Sequence, residues 1–191
     1  MTAQRRFVGG TDLPLSADGR AQAERIAPIV RGRRPEACLC SPMRRCLETS
    51  EAILTGSSLA AETIDDLREI RFGDWETRTF SEVAASDPEG IARWGKFDHE
   101  FAFGSGERIG AFLGRMARVA ARIAAFPAER ILVVAHGGVI RTLLCHYFGL
   151  EIRHFFTFEI SPASLTEVVL FEPDKGVLTG LTVCPDAEDA P

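Results

Sequence analysis

Short apolar runs alternate along this chain with stretches where apolar positions recur every three or four residues. Ser16 stands ahead of one such stretch as a capping side chain, and a helix is expected from there to about Arg31, kinked or shortened at Pro28. Ala37 to Cys40, "ACLC", reads as a short buried strand. Ser41-Pro42 then opens a second helix, with serine as cap and proline at the first helical position. Its inner face carries Met43, Cys46, Leu47, Ser50, Ile53 and Leu54. "LREIRFGDWE", Leu67 to Glu76, is irregular and rich in charge. Thr79 to His99 holds two short helices around "SDPEG", and Phe103 to Gly106 is a loop. A long helix follows, with Ile109, Phe112, Leu113, Met116, Val119 and Ile123 on one face. Ile131 to Ala135 is a continuous apolar run, as in a strand buried on both faces. The next helix turns Val139, Ile140, Leu143, Leu144, Tyr147 and Phe148 inward, and Gly149 suits its C-cap. "SLTEVVLFE" and "GVLTGLTV" flank "PDKG" as a hairpin or strand pair, and "PDAEDAP" reads as a disordered tail.

Strands alternating with helices predict a three-layer α/β/α sandwich with a mostly parallel sheet, built as one domain over residues 1–184. Ligands in such folds bind at the C-terminal ends of strands. Two strand ends qualify here: Cys40-Ser41 and Ala135-His136. The composition, 46% hydrophobic and 26% charged, is that of a soluble globular chain. A net charge of −5 gives no sign of nucleic-acid binding. Five cysteines, an odd number without a CxxC pair, fit a reduced, cytoplasmic setting. Neither a signal peptide nor a membrane span is visible, and self-association into a homodimer stays open.

Both strand ends lead straight into a helix N-terminus, where free N–H groups and the helix dipole favour an anion. Gly137 and Gly138 would let a ligand approach the backbone, and His136 adds a donor. At the other end, Arg44 or Arg45 lies in the first helical turn and leans back over the strand end. A guanidinium there can grip phosphate oxygens in a fork, and helical phase does not choose between the two. The plainer readings are a hydrogen-bonded structural histidine and a solvated arginine pair. Against the second, cationic charge at a helix N-terminus calls for compensation, which an anion would supply. Glu69 would ordinarily be a surface residue. Phe72, Gly73 and Trp75 suggest instead an aromatic-pinned loop that desolvates its carboxyl, and nearby phosphate would favour the protonated form. Such an acid can protonate a leaving alcohol.

Taken in order, these segments resemble the histidine phosphatase superfamily, the phosphoglycerate-mutase-like phosphatases. The segments are "RRFVGGTDLPLSADGRAQAE", "CSPMRRCLETSEAI", "LREIRFGDWE", "FGSGER" and "VVAHGGVIR". The resemblance runs from about Arg6 to Phe171, and within the superfamily the pattern is nearest to bacterial α-ribazole phosphatases. It implies Arg45 as the phosphate-binding arginine, Glu69 as proton donor, and His136 as a histidine that steadies the phosphoryl oxygens beside Gly137. It implies a small phosphorylated metabolite as substrate, no metal and no other cofactor. Residues of about 80–105 would form a lid carrying specificity. Trp94 and Phe97 in that stretch read as core packing, and His99 is a candidate substrate contact.

One family element is missing from the chain. The family's first strand ends in Arg-His-Gly, whose histidine becomes phosphorylated and whose arginine binds phosphate. It would lie roughly ten residues ahead of the position matching Arg6, and only Met1 to Arg5 precede that point. Neither His99, His136, His146 nor His154 stands in for it by order. The resemblance therefore implies a phosphomonoesterase inactive as given, lacking its first central strand beside the strand that ends at His136. A start assigned too far downstream, a truncated gene model, explains both absences together. The alternative is a non-catalytic phosphate-binding module; a nucleotide-binding loop at "FGSGER" is a weaker third reading.

Overall fold

A computed structural model describes residues 6–184; the expected tail at 185–191 lies outside them. Helix α1 (Ala17–Gly32) starts where the sequence places it, with the Ser16 hydroxyl accepting the Gly19 N–H at 3.0 Å. Pro28 lies within α1, which nonetheless runs on to Gly32. Strand β1 (Ala37–Cys40) is central. It lies parallel to β2 (Ala61–Thr63) and β3 (Ile131–Val134), in the order β2-β1-β3. Cys38 stands opposite Ala61 on one side and Leu132 on the other.

Side chains alternate across a strand, and this sorts the helices into two layers. Leu39, fully buried, joins Phe112 and Met116 of α5 (Ile109–Ala124) and Val139 and Leu143 of α6 (Gly137–Tyr147). Cys38, Cys40, Leu132 and Val134 face the other way. They pack on Ile26 and Val30 of α1 and on Cys46 and Ile53 of α2 (Arg44–Leu54). The three layers are those the sequence predicts.

Two local expectations are corrected. Helix α2 does not begin at Pro42: its N-cap is Met43, which makes no side-chain cap bond, and Ser41 stands outside the helix. Strand β3 is not enclosed on both faces. Leu132 and Val134 are buried, whereas Ile131 and Val133 are only half-buried. The reason is an open edge. Among the described residues β3 pairs with β1 alone, while β4 (Leu165–Glu172) and β5 (Lys175–Thr182) form a separate antiparallel pair. Between β3 and β4 lies a cavity of about 460 Å³. Ile131, Val133, Leu165 and Val168 line its strand sides, with Ile26 and Ile53 from one helical layer and Ile140 and Leu144 from the other. It is an apolar slot in the sheet layer, and Arg45 and His136 also line it.

The segment from Thr79 splits as expected into α3 (Phe80–Ser86) and α4 (Pro88–Gly95). Thr79 makes a capping box with Glu82, and the Asp87 carboxylate caps α4 at the Gly90 N–H. Phe101 and Phe103 are buried in ring contact with Trp75, and Phe97 is buried against Phe155 and Phe156, so all three pack the core, while His99 is exposed. Gly149, at φ +62°, adopts the left-handed conformation that ends α6.

Candidate active site

The ends of β1 and β3 meet, and three of the four candidate side chains meet with them. The Arg45 Nε–H donates to His136 Nδ1 at 3.1 Å. A guanidinium has only donors, so Nδ1 must carry its lone pair and the imidazole proton sits on Nε2. That nitrogen lies 2.8 Å from the Ser41 hydroxyl, which therefore accepts from it. Burial, and after it the charges of Arg45, Arg115 and Arg68, holds the His136 pKa down to about 3. The imidazole is thus a neutral hydrogen-bond donor at neutral pH.

Of the two arginines in the first turn of α2, Arg45 turns inward. Its other donors reach the carbonyls of Thr11 (3.0 Å) and Gly9 (3.1 Å). Arg44 is exposed; its backbone N–H donates to Asp12, and its side chain lies near Glu48. Of the two that helical phase leaves open, Arg45 is the one that the Gly9 and Thr11 carbonyls hold inward.

Glu69 is only 8% exposed, on a loop whose Phe72 and Trp75 rings pack into the aromatic cluster. Its carboxylate accepts the Gly138 N–H at 2.8 Å and the Ile70 N–H at 3.0 Å. Burial drives its pKa up, against the opposing pull of those N–H groups and of Arg45 and Arg115. The loop itself is held from behind. Buried Arg115 pairs with Glu107 at 2.8 Å and donates to the carbonyls of Asp66, Arg68 and Glu69. Gly137, at the first position of α6, is half-buried and lines the slot, with little near a Cβ built on it. Gly138 is more constrained, since a Cβ there would fall 2.4 Å from a Glu69 oxygen.

Sequence reasoning missed Ser41 and Cys46, and it gave Gly138 to ligand approach, whereas the Gly138 N–H is taken by the Glu69 carboxylate. Ser41 was assigned to helix capping, a role its residue type fits equally well. The Cys46 sulfur lies 3.5 Å from His136 Nε2. Burial pushes its thiol up to about 12, so it is a protonated neighbour and not a thiolate. The "FGSGER" loop spends its N–H groups internally: Gly106 on Phe103, Glu107 on Arg71 and Ser105 on Asp74. No phosphate cradle is left there. No described residues form a group of three or more His, Cys, Asp or Glu side chains able to hold a metal ion. Nor is any described helix long and apolar enough to cross a membrane.

A family model, Histidine phosphatase superfamily (branch 1), matches residues 1–183. The chain belongs to the histidine phosphatase superfamily. Among its relatives in this superfamily is the adenosylcobalamin/alpha-ribazole phosphatase of Escherichia coli K12, 30% identical over 156 residues, or 81% of this chain and 76% of the relative. The Salmonella typhimurium enzyme of the same name is 26% identical over 87% of this chain and 83% of its own length. Solved structures of superfamily members superpose on the fold. The alpha-ribazole phosphatase of Shigella flexneri gives a TM-score of 0.82 at 26% identity, over 93% of this chain and 88% of its own. A mycobacterial glucosyl-3-phosphoglycerate phosphatase gives 0.78 at 26%, over 97% and 95%.

Proposed function

We propose that this site hydrolyses small phosphomonoesters, of the α-ribazole-phosphate or phosphoglycerate type, through a phosphohistidine. The observation that carries the reading is the meeting of Arg45, neutral His136 and buried Glu69, whose burial favours its protonated form, around two adjacent strand ends. Arg45 and the Gly137 end of α6 hold the phosphoryl oxygens as charge develops, joined by His136 when its Nε2–H exchanges the Ser41 hydroxyl for one of them. Glu69 gives its proton to the leaving alkoxide as the P–O bond breaks, then takes one from the water that attacks the phosphohistidine. Specificity resides in the 80–105 segment acting as a lid.

The nucleophilic histidine of this scheme is not among the 191 residues. The apolar slot supports a strand between β3 and β4 as its carrier. Such a strand would pair with the free edge of β3 and end beside His136 and Arg45. The coding sequence in frame ahead of Met1 is expected to read as an apolar strand ending in Arg-His-Gly, and a stop codon directly upstream would overturn this. The 191-residue chain should leave p-nitrophenyl phosphate intact, so measurable turnover refutes the absence of the nucleophile. With the strand restored, Glu69→Gln should slow poor leaving groups about 10²- to 10⁴-fold and good ones far less. Equal effects on both would remove Glu69 as the acid.

A further inference from the structure

Glu76 belongs to none of the roles above, yet it accepts more hydrogen bonds than any other carboxylate near the site. One oxygen accepts the N–H groups of Gly10 (2.7 Å), Phe72 (3.0 Å) and Gly9 (3.1 Å). The other accepts the Thr11 hydroxyl (2.8 Å) and the Thr11 N–H (3.4 Å). The same three residues, Gly9 to Thr11, give two carbonyls to Arg45. In a trans peptide the N–H and the C=O point in opposite directions. The Gly9–Gly10 peptide therefore lies end-on between two charges, its N–H on the Glu76 carboxylate and its C=O on the Arg45 guanidinium. Each charge polarises the shared peptide toward the other. Gly9 must be glycine for this passage, because a Cβ there would meet the Ile70 carbonyl oxygen at 1.8 Å.

We propose that Glu76 is the positioning residue of this site: by gathering the N–H groups of Gly9, Gly10 and Thr11 it turns two carbonyls onto Arg45 and fixes the angle at which Arg45 meets His136. Burial works against its charge, but the donors from Thr11, Gly10, Phe72 and Gly9 outweigh that and keep its carboxyl below the usual range. The carboxylate thus stays ionised wherever the protein is folded near neutrality. Replacing it with an amide puts an NH₂ donor against N–H donors, whichever way the amide is turned.

The effect of this relay on phosphate rests on the reading of Arg45 as a phosphate ligand; its effect on His136 does not. Nitrogen-15 NMR of the imidazoles at neutral pH reads the relay directly. The unaltered chain should hold His136 as a single Nε2–H tautomer, because Arg45 occupies Nδ1. Glu76→Gln should give a mixture of tautomers, and Thr11→Val, a gentler change that removes one donor, a smaller shift in the same direction. Glu48→Gln is the control: Glu48 accepts the Leu15 N–H and pairs with Arg20 but touches none of the three residues. It should leave the tautomer alone even if stability falls. Inorganic phosphate, titrated by calorimetry, should bind Glu76→Gln about tenfold more weakly than the unaltered chain. An unchanged tautomer in both Glu76→Gln and Thr11→Val would overturn the proposal. A changed tautomer with phosphate affinity indifferent to both Glu76→Gln and Arg45→Ala would uphold the relay and sink Arg45 as the phosphate ligand.

Discussion

At the residue scale, the pair His136 and Glu69 carries opposite proton linkages. His136 titrates near 3 when folded, against about 6.5 in an unfolded chain. Between those values the unfolded chain binds a proton that the native state excludes. Stability from this group is therefore complete above about 6.5 and is lost as pH falls toward 3, at up to about 1.4 kcal/mol per pH unit. Glu69 has the reverse sign: its raised folded pKa gives stability that is complete below the unfolded value and lost as pH rises through the folded one. Where the windows overlap the two offset each other, so the His136 loss stands out on the acid side. Urea unfolding measured from neutral pH down to about pH 4 should show an acid limb that His136→Gln flattens; an unchanged limb would contradict the buried neutral imidazole. His136 and Glu69 were legible in the sequence because a histidine before paired glycines and a glutamate among aromatics are local signals. Arg45 needed the family resemblance to be told from Arg44. Ser41 and Glu76 were not legible, because their partners lie 95 and about 65 residues away in the chain and depend on which backbone groups the fold brings round.

At the element scale, starts and stops were read best where a cap decides them. Ser16, Thr79 and Asp87 each sit where their side chains meet the N–H groups of a first turn. Ser41-Pro42 looked like the same signal and failed, because the hydroxyl had a buried imidazole as its alternative partner. Asp87 has two obligations. One carboxylate oxygen caps Gly90 at 2.9 Å, and the other accepts the indole N–H of buried Trp75 at 3.0 Å. Asp87→Ala strands both donors, one of them inside the aromatic cluster. A loss of about 2–3 kcal/mol in urea-measured stability is expected, more than a cap alone contributes. A loss of only a few tenths would mean that the indole finds water instead.

At the scale of the molecule, the layer order followed from strand–helix alternation, but the state of the sheet did not. A run such as "ILVVA" looks the same whether the neighbouring strand is present or not. The three-stranded sheet and the β4–β5 pair are held apart by an apolar space of about 460 Å³ that residues of both helical layers line but do not fill. Exposed apolar surface of this kind binds hydrophobic dyes. The native 191-residue chain should therefore brighten anilinonaphthalene sulfonate below its urea transition, and a synthetic apolar strand should displace the dye. Dye fluorescence at the level of a closed α/β domain would contradict an open slot.

The slot would tie together two events, the closing of the sheet and the assembly of the site. The strand proposed for it would complete the hydrogen-bond ladder and bring the nucleophile to Arg45 in a single movement. A molecule with its sheet unfinished would then be silent and not merely slow, so turnover would serve as a direct gauge of the last step of folding.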